Sequence, residues 1–329
     1  MQTFTGLEYI MISIANAFGL DKLVWKNRIF WVRNNEPDLE KLANNAKHPH
    51  MYSKAVRAFR RVSVGLPTDF MINLDATASG VQIMSAMSGC IKGGKAVNLV
   101  NTEKREDLYS HMANIMSEIC GYKIDAATIK KPVMTFFYGS TAKPKEIFGE
   151  DTPELAAFYQ TLEEGLPGAY NLRNILIASW DPRANAYEWA MPDGHYAYVP
   201  VVVPEEKGLE IDEADHLRFT MRTLVCKPKE MGLALAANVV HSVDAWIGRE
   251  MVKRSKEQGF NVIPIHDCFF CTPNNGNNVR YLYREIMADV AEQNLVTNIL
   301  SQIYDTHFPY AKLSSDLPRL IRKSEYALS

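Results

Sequence analysis

The chain has 329 residues, 47% of them apolar and 22% charged, with 36 Lys and Arg against 38 Asp and Glu. This composition excludes disordered and fibrous classes and suggests roughly two domains at about 100–200 residues each. A formal charge of −2 announces no nucleic acid, membrane or acidic partner through bulk balance alone. No apolar run approaches the roughly 18 residues that a membrane span needs. The first twenty residues show neither a signal nor a transit pattern. Five cysteines, an odd number in so long a chain, point to a reducing compartment.

In chain order, apolar periodicity predicts helix from Gly6 to Arg33, with Ile10, Ile14 and Phe18 on one stripe. A second helix is expected from Met51 to Val64. Its Lys54, Arg57, Arg60 and Arg61 share a face, either a solvated surface or a row that tracks phosphates. Phe70–Asp75 reads as a short strand ending on a carboxylate, followed by the small-residue turn 76–80 and a helix through Met87. Residues 101–180 are expected to be mainly helical. Residues 196–226, with alternating apolar and polar positions in the second arm, predict one extended β-hairpin. Helix is expected again from Met231 to Gln258, then a strand pair over Pro264–Pro273 turning at His266-Asp267. Helical periodicity resumes at Asn278. No linker rich in Gly, Pro or Ser separates two halves, so the domains must interleave.

Cys268 and Cys271 have a spacing used by zinc sites. On a strand, however, positions i and i+3 face opposite ways, so the two thiols should diverge. Asp75 and Asp267 are more informative, because each ends or turns an apolar strand where a carboxylate needs a compensating cation. Mg²⁺ suits such oxygens, and two ions bridged by two carboxylates serve in-line nucleotidyl transfer. The other reading makes Asp75 a helix cap and Asp267 an ordinary turn residue. Lys130 to Gly139 reads as a helix closed by its glycine. Lys130, Met134 and Tyr138 fall at i, i+4 and i+8, offering a cation and a phenol on one face, or simply an amphipathic core helix.

These segments resemble the conserved motifs of the single-subunit RNA polymerases of bacteriophages and mitochondria. Asp75-Ala-Thr-Ala-Ser-Gly-Val-Gln-Ile-Met-Ser-Ala-Met87 is similar to motif A, Lys130 through Ser140 to motif B, and His266-Asp267-Cys-Phe to motif C. Gly93–Asn98 and Asp107–Tyr109 resemble the segment linking motifs A and B, Asn238–Asp244 the helix before motif C, and Ile14–Lys22 a segment upstream of the motifs. The likeness covers most of the chain and is weakest from about 141 to 230. It implies an α+β right-hand polymerase core with the thumb missing: palm from 1–100 and 231–329, fingers from 101–230. The 196–226 hairpin would take the place of the promoter-reading specificity loop.

The resemblance further implies a DNA-directed RNA polymerase catalytic subunit. Asp75, Asp267 and the Ala76 carbonyl would hold two Mg²⁺. Lys130 would contact the triphosphate, Tyr138 would lie beside the ribose, and His241 would approach the nascent base pair. Tyr109, Lys131 and Gly139 complete the implied nucleotide and nucleic-acid contacts. A family-A-like DNA polymerase core and an inactive nucleic-acid-binding subunit are the alternatives. The implied partners are DNA template, nascent RNA, NTPs and a second subunit carrying the thumb and an Asp-x-x-Gly-Arg element. The implied location, for a phage protein, is the cytoplasm of a bacterial host. There are departures. The family's Arg four residues before the motif B Lys is Ala126 here, with Lys123 a candidate substitute. The His after the motif A Gln is Ile83. Pro132 predicts that the helix starts late and that Lys131 leaves helical angles.

Overall fold

The computed structural model describes every residue except Glu103 and residues 229–233. It is a mixed α+β molecule with many helices and three small antiparallel sheets among the described residues. The expected helix over 6–33 is two helices, α1 (Gly6–Phe18) and α2 (Trp25–Asn34). Thr5 and Glu8 form a capping box at the start of α1, and Gly19 ends it at φ 113°. Helix α3 (Pro49–Ser63) packs on α1. Its basic row is divided: Lys54 and Arg57 are exposed, whereas Arg60 pairs with Glu40 at 2.9 Å and with Glu36 at 3.5 Å.

Strand β1 (Ile72–Asp75) leads through a tight turn into α4 (Ser79–Ser88), in which every residue from Gly80 to Ser88 is buried. A helix buried on all sides needs partners all round. Five more helices follow: α5 (Ile91–Ala96), α6 (Leu108–Cys120), α7 (Ala126–Phe137), α8 (Ala142–Phe148) and α9 (Pro153–Gly165). Helix α10 (Pro167–Ala178) then packs against α4. Pro132 sits inside α7, which runs unbroken from Ala126 through Lys131 to Phe137. The late start is therefore corrected. Proline costs the Thr128 carbonyl its partner, but Ile129, Val133, Phe136 and Phe137 bury one side of the helix and hold it together.

The single hairpin expected over 196–226 is also corrected. Strand β3 (Tyr196–Pro200) pairs backwards with β2 (Ala186–Ala190), while β4 (Val202–Ile211) pairs forwards with β5 (Leu217–Pro228). The segment is thus shared between two hairpins. Helix α11 (Ala234–Glu257) crosses behind α4 and precedes β6 (Ile263–Ile265) and β7 (Cys268–Cys271). Cys271 lies on the buried face of β7 with Phe269, and Cys268 on the other face, as strand geometry requires. Helices α12 (Gly276–Glu292), α13 (Leu295–Tyr304) and α14 (Leu317–Ile321) close the chain. Among the described residues, no helix is long and apolar enough to cross a membrane.

The central sheet has the order β1-β7-β6. Its register places Asp75 opposite Cys268, so the end of β1 lies beside the β6–β7 turn. The outer edge of β1 is covered by the C-terminal residues: the Ser329 amide donates to the Asp75 carbonyl at 2.9 Å and the Asp75 amide to Ser329 at 3.3 Å. Gln82 ties this tail to α4. Its Nε2 donates to the Ala327 and Val97 carbonyls at 2.9 Å each, and its Oε1 accepts from the Tyr283 hydroxyl at 2.6 Å.

Candidate active site

Two backbone turns create the site. Ala78, between β1 and α4, has φ 51°, and His266, in the two-residue turn between β6 and β7, has φ 53°. Neither is glycine, so both turns hold strain of about 1–3 kcal/mol each, which the flanking elements must support. The Ala76 amide donates to the Asp267 carbonyl at 3.2 Å and locks the two turns together. Asn98 braces the first turn from behind: its Nδ2 donates to Thr77 Oγ1 at 3.3 Å and to the Glu106 carbonyl at 3.0 Å.

The turns open into two adjoining cavities. One, of about 760 Å³, is lined by Asp75, Ala76, Arg105, Lys130 and Ala126. The other, of about 640 Å³, is lined by Gly80, Tyr138, His241, Asp244 and His266. Asp267, Tyr109 and Met134 lie on the boundary and line both. Lys130 thus lines one cavity, Tyr138 the other, and Met134 lies between them.

The electrostatics are those of a crowded pair of carboxylates. Asp75 opens onto the cleft on one side, but protein packed around the others, and then the like charge of Asp267, raise its pKa from 3.8 to about 6. Among the described residues neither carboxylate makes an ion pair. Arg105 is close enough only to draw Asp75 partly back towards its usual value. Arg105 reaches Ser329 Oγ at 3.2 Å, which fixes it against the tail. Asp244 is likewise held above the ordinary carboxylate range by burial and by Asp267. Tyr138 is hydrogen-bonded to the Ser79 side chain and meets the His241 ring edge-on, with centroids 5.4 Å apart. The Lys130 ammonium lies 5.5 Å from the Tyr109 ring centroid, a cation–π distance.

Of the sequence-derived candidates, Asp75, Ala76, Tyr109, Lys130, Tyr138, His241 and Asp267 converge on these cavities. Lys131 and Gly139 line neither. Lys131 is exposed, and Gly139 ends the helix at φ 96°, its carbonyl facing Arg173. Lys123 is 89% exposed, lies 3.9 Å from Asp125 and lines neither cavity. Sequence reading missed Arg105 and Asp244. Asp244 had a signal, because on one helix it falls three residues after His241. Arg105 had none, since only the fold brings it to Asp75.

Two carboxylates that no basic side chain pairs with, among the described residues, are the kind of oxygen donors that suit a hard cation. A separate group, Glu210, Asp212 and His216, also places three ligand-type atoms within 4.8 Å of one another, but it is wholly exposed at the tip of the β4–β5 hairpin.

Residues 2–146 and 216–325 match the family model of DNA-dependent RNA polymerase. The chain is 23% identical to DNA-directed RNA polymerase 1, mitochondrial, of Arabidopsis thaliana, over 93% of this chain and 37% of that protein. It is 20% identical to the mitochondrial DNA-directed RNA polymerase of Schizosaccharomyces pombe, over 92% of this chain and 32% of that one. The DNA-directed RNA polymerase of Pseudomonas phage phiKMV is 27% identical over 42% of this chain and 21% of its own length. The chain thus spans about a third of the mitochondrial relatives it matches. With a family match over most of its length, this chain belongs to the single-subunit, phage and mitochondrial type of DNA-dependent RNA polymerase family.

Proposed function

We propose that this chain is the catalytic palm-and-fingers part of a DNA-directed RNA polymerase, adding ribonucleotides from NTPs to an RNA 3′ end on a DNA template. The observation that carries the reading is the convergence of Asp75 and Asp267, from strands far apart in sequence, with Lys130 and Tyr138 around two joined cavities. In this reading residues 1–100 and 231–329 form the palm, and 101–230 the fingers.

Asp75 and Asp267, with the Ala76 carbonyl, would hold two Mg²⁺. When bound, the ions supply charge neutralisation for the attacking and leaving oxygens. The raised pKa of Asp75 fits that role, because the pair is costly until a cation joins it. Lys130 and Arg105 bring positive charge to the same cavity as the carboxylates, where a triphosphate would develop charge during transfer. Tyr138, steadied by Ser79 and His241, walls the second cavity and presents its hydroxyl to the sugar. Gly80 makes that placement possible, since a Cβ there would come within 2.9 Å of the Tyr138 hydroxyl.

The rest of the nucleic-acid path, including a thumb and an Asp-x-x-Gly-Arg element, would come from outside these residues. We propose a second polypeptide for it, to be tested by co-purification and light scattering. The test of the central reading is nucleotide addition to a primed RNA–DNA scaffold with Mg²⁺, comparing NTPs with dNTPs. Ribonucleotide addition is expected. Preference for dNTPs would favour a DNA polymerase core, and binding without addition would favour an inactive subunit.

A further inference from the structure

A triphosphate needs cations along its length, and α7 provides one. Lys130 lines the cavity that holds Asp75 and Asp267. One turn earlier, the helix presents Ala126 and Ala127 to the same cavity, and their methyl groups carry no charge. Three further Lys and Arg line that cavity: Lys22, Lys47 and Arg105. Lys22 is already paired with Asp107. Lys47, in the loop before α3, is exposed, and among the described residues nothing hydrogen-bonds its ammonium.

Arg105 differs from both. It is partly buried, and among the described residues it makes no ion pair. Asn98 fixes the backbone beside it, accepting from the Glu106 amide at 2.8 Å and donating to the Glu106 carbonyl at 3.0 Å. The guanidinium donates from Nε and Nη2 to one neutral acceptor, Ser329 Oγ, at 3.4 and 3.2 Å, and Nη1 has no partner among the described residues. Those bonds are long, and they share one hydroxyl. A phosphate offers two charged oxygens to the same fork and would displace them. Asp21, Asp107 and Asp75 all lie within electrostatic reach and oppose the effect of burial on its charge. We propose that Arg105 binds the outer phosphates of the incoming nucleoside triphosphate, from the connection between α5 and α6, in place of the side chain that α7 lacks at Ala126. The Ser329 hydroxyl holds the guanidinium until the phosphates arrive. This rests on the polymerase reading of the cavity and adds to it the residue that grips the far end of the triphosphate.

The probe is inorganic tripolyphosphate with Mg²⁺, titrated into the full chain by calorimetry, beside the KM for UTP on the primed scaffold. Arg105→Gln should weaken tripolyphosphate about tenfold or more and raise the KM similarly. The UTP to dUTP ratio should not change, because Tyr138 walls the other cavity. Arg105→Lys keeps the charge without the fork and should recover only part of the loss. Adding Ala126→Arg to Arg105→Gln should restore binding from α7. Ser329→Ala frees the guanidinium and should leave affinity at or above that of wild type. An Arg105 that merely pinned the tail would make the Ser329 and Arg105 variants lose alike. A chain that binds tripolyphosphate through Arg105 but adds no nucleotide would sink the polymerase reading and keep the phosphate site. Unchanged affinity in Arg105→Gln, equal loss in Ser329→Ala, or no recovery with Ala126→Arg overturns the inference.

Discussion

Replacing Gly80 with alanine adds one methyl group where α4 meets Tyr138. The new Cβ would lie 2.9 Å from the Tyr138 hydroxyl oxygen and 3.1 Å from Cζ. Ordinary contacts of this kind lie near 3.5 Å, so the ring tip must retreat by about 0.6 Å or more. The Gly80 backbone is helical and accepts alanine, a residue with about 0.5–1 kcal/mol better helix propensity. Tyr138 is 39% exposed and the displaced atoms are its outer end, so the ring can yield. Stability should therefore change by less than about 1 kcal/mol, and Tm by only a few degrees. Sugar choice should change more. If the hydroxyl reads the ribose through one hydrogen bond, losing its position costs about 1 kcal/mol, or roughly fivefold in the ratio of UTP to dUTP incorporation. Gly276→Ala is the matched control. Its Cβ would lie 2.6 Å from the ring of Tyr9, which is 1% exposed and held by Asn277 and Arg280. That ring cannot yield, so about 1–3 kcal/mol of stability should be lost with sugar choice intact. A Gly80→Ala variant that melts several degrees lower with an unchanged incorporation ratio would refute this account.

Tyr138→Phe keeps the ring and removes the hydroxyl, and should relax the UTP to dUTP ratio by roughly 10–100-fold while overall addition persists; an unchanged ratio removes Tyr138 from sugar selection. Asp75→Asn and Asp267→Asn should each slow nucleotide addition by about 10³-fold or more while scaffold binding, measured by anisotropy, survives. The same variants should abolish the rise in Tm that Mg²⁺ gives the wild type, a readout that needs no turnover. In metal-free protein the pH dependence has a definite sign. A carboxyl raised from 3.8 to about 6 contributes stability that is present below about 3.8 and lost as pH rises through about 6. Asp75→Asn should thus melt higher than wild type at pH 8, with the gap closing by about pH 4; a gap that is constant with pH contradicts the burial and like-charge account. Gln82→Leu strands two carbonyls and the Tyr283 hydroxyl, so it should cost about 3 kcal/mol or more by chemical denaturation.

Local patterns carried much of this protein. The strand that stops at Asp75, the small-residue turn after it and the helix beyond follow from residue order, as does the divergence of Cys268 and Cys271 along β7. The alignment of Lys130, Met134 and Tyr138 on one helical face needed only the 3.6-residue period. What periodicity could not contain was decided in three dimensions. Pro132 reads locally as a helix boundary, yet burial of the neighbouring apolar residues carries α7 straight through it. Tyr196–Pro200 reads as one arm of a hairpin but carries no mark of whether it pairs with the segment before or after, and it pairs with β2. Above all, the meeting of Asp75 with Asp267, the arrival of Arg105 beside them and the Ser329 cover on β1 depend on the register of strands nearly 200 residues apart. Local sequence sets which way a side chain points along its own element. Only long-range packing sets what it points at.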